Sequence, residues 1–436
     1  MLKYCRLIAT LFLLFTGPAF AQVTDFSSIP KSNLDKLLKN GQPAELGHSH
    51  FPLLGEYRDM HIFTINDSVF GAVPFRLFVP ETYNPSVPTP LVLLLHGAVG
   101  ASHFSDAMGQ HKATEADDDP FIGKLCKTGN IIIMPYGDAT KKFSWVVNEW
   151  RPGDNLTFKT LLNIINEVKR SVNIDDDKVF AMGHSDGSDG AFALDVYNPA
   201  PFAGFLCYNS MLTNIFANDI YLPNATNRPL YAVHSDQDDI RPIEQARAII
   251  KVLDSLKVNV KYKEYYGYQH FDKHLDIDYP NALEFIKNTQ RNPYPHTVFW
   301  ETGSHIFNSC DWLVINNWDF ALPAAGWHKS YFVNSYNKIN KTWYNRSNYG
   351  YNPSAAIKGT FNNNVFEIST SGVTAFEVLI SPQMVDITKE VKIIVNGKTA
   401  FTGKVKADGN FFKKQFAKTH DRTAVWVAAV PVRVAI

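Results

Sequence analysis

Five short runs in the sequence are apolar almost without a break: "FRLFVP" (75–80), "LVLLLHG" (91–97), "IIIMPYG" (131–137), "VFAMGHS" (179–185) and "LYAVHSD" (230–236). A strand with one wet face alternates apolar and polar residues, so runs of this kind imply parallel strands covered on both faces. The segments between them carry the complementary helical signal. "LTFKTLLNIINEVKRSV" puts Leu161, Ile164, Ile165, Val168 and Val172 on one stripe, with Asp154 and Asn155 available as caps. "RPIEQARAIIKVLDSLK" does the same with Ala246, Ile249, Ile250, Leu253 and Leu256, and Pro242 suits its start. From about residue 58 to about residue 292 the pattern predicts a mostly parallel α/β sheet with helices on both faces.

Beyond about residue 292 the texture changes. Helical periodicity vanishes, short alternating segments such as "TVFWET", "VFEIST" and "AFEVLI" take over, and Trp300, Trp312, Trp318, Trp327, Trp343 and Trp426 all fall here. In "VKIIVNGKTAFTG", Asn396-Gly397 supplies the two positive-φ positions of a tight hairpin. A smaller, sandwich-like all-β domain over 293–436 is expected, entered through Pro293-Tyr294-Pro295. Its aromatic residues fit either a sugar-binding face or ordinary sandwich filling, and filling is the commoner use.

The first 21 residues read as an export signal: Lys3 and Arg6, an apolar stretch from Leu7 to Phe15, then Pro18-Ala19-Phe20-Ala21. That stretch is well short of the roughly 20 residues a spanning helix needs. A secreted or periplasmic protein is expected, with 22–57 as a lead-in segment. The 42 basic and 42 acidic residues balance, giving no electrostatic reason for a nucleic-acid or anionic-membrane partner. Cys126, Cys207 and Cys310 match no metal or redox spacing and read as buried small apolar residues.

The chemistry concentrates at "GHSDG". Serine is a poor nucleophile unless it is exposed, next to a base, and flanked by donors for the oxyanion. Gly183 and Gly187, two residues either side of Ser185, allow a sharp strand-to-helix turn with the serine at its apex. The amide of Ala98, in the turn that ends "LVLLLHGAVG", and that of Asp186 are the candidate oxyanion donors. Each such donor is worth on the order of 10² to 10³ in rate. An acid and a histidine should follow in that chain order. Asp238 in "LYAVHSDQDDIRP" and His270 in "YYGYQH" fill those places, with Asp239 as the alternative acid. His270 would take the Ser185 proton while Asp238 fixes its tautomer. His274 lies four residues on, but no third ligand at a known spacing accompanies the pair, so no metal or other cofactor is expected. His184 reads as a packed neighbour of the nucleophile. In "FSWVVNEWRPGD", Trp145, Trp150 and Arg151 are candidate substrate contacts, with a structural Trp–Arg stack as the equal alternative.

Residues 75–290 resemble the α/β-hydrolase superfamily, in particular extracellular esterases of the polyhydroxybutyrate depolymerase and feruloyl esterase type. The resemblance rests on "FRLFVPETY", "PLVLLLHGAVG", "NIDDDKVFAMGHSDGSDGA", "RPLYAVHSDQDDIRP" and "YYGYQH". It implies a Ser185–His270–Asp238 triad and a carboxylic ester substrate, small or polymeric. The sequence departs from the family pattern after Gly187, where Ser188 and Asp189 stand, and this bears on substrate preference. A serine peptidase of the same fold and a non-catalytic polysaccharide-binding scaffold are the rival expectations.

Overall fold

A computed structural model describes residues 23–25, 61–104, 119–146, 155–209, 221–331, 333–347 and 353–435. Among these, nine strands form the main sheet: β1 (Val23–Asp25), β2 (His61–Asp67), β3 (Gly71–Phe78), β4 (Thr89–Leu95), β5 (Ile131–Pro135), β6 (Ile174–His184), β7 (Gly204–Tyr208), β8 (Leu230–Ser235) and β9 (Val260–Tyr265). Their order is β1-β2-β3-β5-β4-β6-β7-β8-β9. β3 runs antiparallel to β2 and β5, and every pair from β5 through β9 is parallel. The five apolar runs are β3, β4, β5, β6 and β8, and Val92, Leu93, Leu94, Ile132, Ile133, Ala181 and Met182 are fully buried.

The two periodic segments form the helices Leu156–Lys169 and Ile243–Ser255, which bury Leu161, Ile164, Ile165 and Val168, and Ala246, Ile249, Ile250 and Leu253, while Val172 and the half-buried Leu256 fall just past their ends. Asn155 caps the first by accepting a hydrogen bond from the Thr157 amide at 3.0 Å. The helix Asp186–Tyr197 is different, because almost every residue in it is buried and it has no wet face. Even Asp189 and Asp195 are fully buried in it, so it is an interior helix despite its acids. It lies between the sheet and the short 3-10 helix Leu222–Asn227, against which the C-terminal region is packed.

That region is a smaller, mainly β body. Among the described residues, β10 (Thr297–Thr302), β15 (Ala355–Asn362), β16 (Val365–Ser371), β18 (Glu390–Val395) and β19 (Lys398–Lys404) form one sheet. β11 (Ser309–Cys310), β12 (Leu313–Trp318), β17 (Val373–Ile380) and β20 (Ala428–Arg433) form another, and β13 (Asn334–Asn337) pairs with β14 (Thr342–Ser347) as a separate hairpin. Trp300 and Trp312 are buried in the core between the sheets, which is the filling role. Asn396 (φ 49°) and Gly397 (φ 81°) make the hairpin turn. A helix, Gly409–Thr419, also stands here against expectation. None of its residues is fully buried, but Phe412 and Phe416 stack one turn apart and Phe411 packs against the β core, a short stripe that sequence reasoning missed.

The Pro-rich boundary is a packed seam. The Tyr294 hydroxyl donates to the Thr423 carbonyl at 2.6 Å, and its ring meets Trp426 edge-on. Arg228, 4% exposed, spends its guanidinium on Asp311 through two bonds and on the carbonyls of Phe202, Asn227 and Ala200. Arg291 likewise bridges Asp177 and Asp421. Phe307 packs on Tyr197 as part of the main sheet's core. Cys126, Cys207 and Cys310 are unpaired, the last two fully buried. Among the described residues no helix is long and apolar enough to cross a membrane. The predicted export signal and lead-in lie almost wholly outside the described residues, of which only β1 falls in that stretch.

Candidate active site

Ser185, Asp186, Asp238, His270 and Ala98 lie at one edge of the sheet, where β4, β6, β8 and β9 end. In an open parallel sheet that edge carries the crevice. Ser185 follows β6 directly and has φ 56° and ψ −122°, a conformation that costs a non-glycine residue about 1–3 kcal/mol. It is half-buried. The flanking glycines make the bend sterically possible: a Cβ on Gly183 would lie 2.2 Å from the Gly187 carbonyl carbon, and one on Gly187 would lie 1.8 Å from the Leu95 oxygen. The Ser185 amide continues the ladder to β7 by donating to the Tyr208 carbonyl at 3.0 Å. Strand, strained serine and helix thus follow in the arrangement of a nucleophile elbow, on a sheet whose strand order suits it. The fold is that of the α/β-hydrolases.

His270 and Asp238 come together at the same edge, 2.7 Å apart from Nδ1 to Oδ2. A carboxylate only accepts, so Nδ1 donates and the neutral ring keeps Nε2 as its acceptor. The other contacts of Asp238 also come from donors: Asn209 Nδ2 at 3.0 Å on Oδ2, and the amides of Ile240 (2.9 Å) and Arg241 (2.7 Å) on Oδ1. Burial pushes its carboxyl upward, but these bonds, the one from His270 foremost, outweigh it and hold the group below the usual carboxylate range. Asp239 is exposed and Asp236 accepts from the Gly267 amide. The loops carrying acid and base are stitched together through the Ser235 hydroxyl, which donates to the Gln269 carbonyl, and through the Gln237 amide on the Tyr268 carbonyl.

Two further histidines shape the surroundings. His184, beside the nucleophile, is buried, and its Nε2 donates to the His270 carbonyl at 2.8 Å. The two rings lie 4.7 Å apart, and burial pulls His184 down to about 3, so it stays neutral and acts as a strut. His274 Nε2 donates to Asn209 Oδ1 at 2.6 Å, extending the chain His274–Asn209–Asp238–His270. Among the described residues no group of His, Cys, Asp and Glu is arranged to hold a metal ion.

On the other side of the serine, Ala98 sits in the left-handed region (φ 44°, ψ 42°) and is exposed. The turn before it is fastened from beneath. His96 is fully buried, bonded through Nδ1 to the Gly97 carbonyl and through Nε2 to the Gly137 amide, and burial lowers its pKa to about 4. The Trp145 indole donates to the His96 carbonyl at 3.0 Å and packs edge-on against its ring. Trp145 is 0% exposed, so it supports this turn from the core instead of touching a substrate, which corrects the expectation for it. Trp150 and Arg151 lie outside the described residues.

Asp186 opens the helix Asp186–Tyr197, so its amide is among those left without a helical acceptor. Its carboxylate ties three loops: Oδ2 accepts from the Val99 amide at 3.0 Å, and Oδ1 pairs with Arg241 at 2.5 Å. Arg241 also faces Asp189 at 3.5 Å. The extra acids near the elbow are therefore compensated within the protein.

His184 is the packed neighbour that the sequence suggests, whereas Asn209 and Arg241 were not legible as site residues. Asn209 stands at the end of the apolar run "GFLCY", as His96 does after "LVLLL" three strands earlier in the sequence, and that was its available signal. Arg241 has none, since its partners are 52 and 55 residues away.

Among solved structures the chain is similar to a thermostable esterase (22% identity over 53% of this chain and 64% of that one, TM-score 0.42). It is also similar to Porphyromonas gingivalis dipeptidyl peptidase 4 (10% identity, 53% and 35%, TM-score 0.41) and to an S-formylglutathione hydrolase from Agrobacterium tumefaciens (12% identity, 52% and 94%, TM-score 0.41). The chain covers less than two thirds of the length of the first two. No protein-family model and no curated protein matches it.

Proposed function

We propose that this protein is a serine hydrolase that cleaves carboxylic esters through an acyl-enzyme on Ser185. The observation that carries the reading is the 2.7 Å bond from His270 to a well-anchored Asp238, at the sheet edge where a strained Ser185 stands. His270 Nε2 accepts the Ser185 hydroxyl proton as Oγ bonds to the ester carbonyl carbon. The negative charge gathers on the carbonyl oxygen, facing the amides of Ala98 and Asp186. As that charge returns, the carbon–oxygen ester bond breaks and the imidazolium hands its proton to the departing alcohol. Water then repeats the cycle on the acyl-serine, with His270 again as base. Asp238 stays ionised throughout and steadies the imidazolium. The ester preference rests on the resemblance to extracellular esterases, and the export signal read from residues 1–21 puts the activity outside the cytoplasm.

A fluorophosphonate probe should label Ser185, and p-nitrophenyl acetate should turn over faster than aminoacyl amides. S185A should lose both labelling and turnover. Faster amide cleavage would make the protein a peptidase, and an unlabelled wild type that is retained by polysaccharide would make it a binding scaffold.

A further inference from the structure

The C-terminal region reaches into the site. β13 and β14 stand apart from both sheets of that region, and their hairpin crosses to the loop that carries Asp238. Gln245, buried in the helix that follows this loop, treats the hairpin as a strand would: its Oε1 accepts from the Tyr336 amide at 2.9 Å and its Nε2 donates to the Asn334 carbonyl at 3.3 Å. Just before the hairpin, Val333 and Tyr331 pack into the core of the main sheet. The tip is closed by the Asn337 side chain, which accepts from the Asn340 amide at 3.0 Å, and by Lys341 at φ 51°. So anchored, the hairpin directs the Lys338 ammonium onto the Asp238 carbonyl oxygen.

We propose that Lys338 is a positioning residue for the catalytic acid, so that the C-terminal region takes part in turnover through the acid loop. The proposal rests on the reading of Ser185, His270 and Asp238 given above. The loop is held through the Asp238 carboxylate and through Asp236 and Gln237, and Lys338 adds a hold on the Asp238 peptide itself. Its own backbone bond from the Asp238 amide to the Ser235 carbonyl is long, at 3.4 Å, and Gln237, Asp239 and Ile240 are exposed around it. A catalytic group keeps its effect only within about 0.5 Å of its productive place. Lys338 acts on the peptide of Asp238, not on its carboxylate, and so sets where the carboxylate stands against His270 without entering the chemistry.

The test is steady-state kinetics on p-nitrophenyl acetate with K338M and K338R, and with K338M placed in a D238N background. K338M should lower kcat by about tenfold with KM unchanged, less than the roughly 10²-fold that a full 1 Å misplacement can cost. K338R should restore most of the loss, and in the D238N background K338M should change nothing further. The melting temperature of K338M should match the wild type. Wild-type kcat in K338M, a loss confined to KM, an undiminished K338M effect in D238N, or a kcat loss that tracks a fall in melting temperature would each overturn the proposal. S185A separates the two claims. If it keeps full turnover, the reading of the site fails; if it is inactive while K338M behaves as wild type, only the role of Lys338 fails.

Discussion

Replacing Asp238 by asparagine preserves shape and removes one acceptor, and the structure says which one. Every polar neighbour of the carboxylate is a donor: two backbone amides on Oδ1, Asn209 and His270 on Oδ2. An asparagine has one oxygen for the four. Turned toward His270, it would leave its NH2 against the amides of Ile240 and Arg241, which cannot reverse. Turned toward those amides, it meets His270 with an NH2, and the imidazole adapts by moving its proton to Nε2. The second arrangement is the cheaper, and it removes the acceptor that Ser185 needs. The kcat of D238N should therefore fall by on the order of 10⁴, the size of this tautomer error in a Ser-His-Asp centre. The Asn209 amide left facing another donor should cost about 1–3 kcal/mol in stability. Stopped-flow hydrolysis of p-nitrophenyl acetate measures the first and urea unfolding the second. A D238N enzyme within about tenfold of wild type in kcat, a barrier change of only about 1.4 kcal/mol, would refute the proposed tautomer logic.

Three other outcomes follow from the packing. G187A should yield no soluble active protein, because its methyl group would lie 1.8 Å from the backbone oxygen of Leu95 in the central strand; a folded variant with normal near-UV circular dichroism would contradict this. R228A should lose about 3–5 kcal/mol, since Asp311 would be left buried and uncompensated. R228A/D311A should recover part of it, and chemical denaturation of the single and double variants reads the difference. His96 and His184 are held neutral by burial, at about 4 and about 3 against an ordinary 6.5. The unfolded chain takes up protons below 6.5 while the folded one declines them, so stability is full above that value and falls as the pH drops toward 4. Urea midpoints that stay flat between about pH 7 and about pH 5 would show that these rings are not the neutral struts described.

How far the sequence can be read depends on which interactions are local. Strands β4, β5 and β6 are legible because burial on both faces leaves a continuous apolar signature, and Asn396-Gly397 because a tight turn is a property of two residues. The helix Gly409–Thr419 escapes because its stripe is only Phe411, Phe412 and Phe416, set in a region whose other segments alternate as strands do. Ser185 announces itself through the glycines its backbone requires, and Asp238 and His270 through chain order at strand ends. Asn209, Arg241 and Lys338 act through contacts 29, 55 and 100 residues away, and no local pattern encodes those distances. Trp145 shows the complementary error: an aromatic residue between strand and helix can face solvent or core, and only the closing of His96 over it decides.

The seam at Arg228, Arg291 and Phe307 bears on anyone who would trim this protein. A cut at the Pro-rich stretch looks natural on paper, yet it would strip Arg228 of Asp311, take from Arg291 one of its two carboxylates, and pull an aromatic plug from the larger body. The two parts therefore share one interior, and a shortened chain would need the exposed face refilled with apolar residues before it could stand alone.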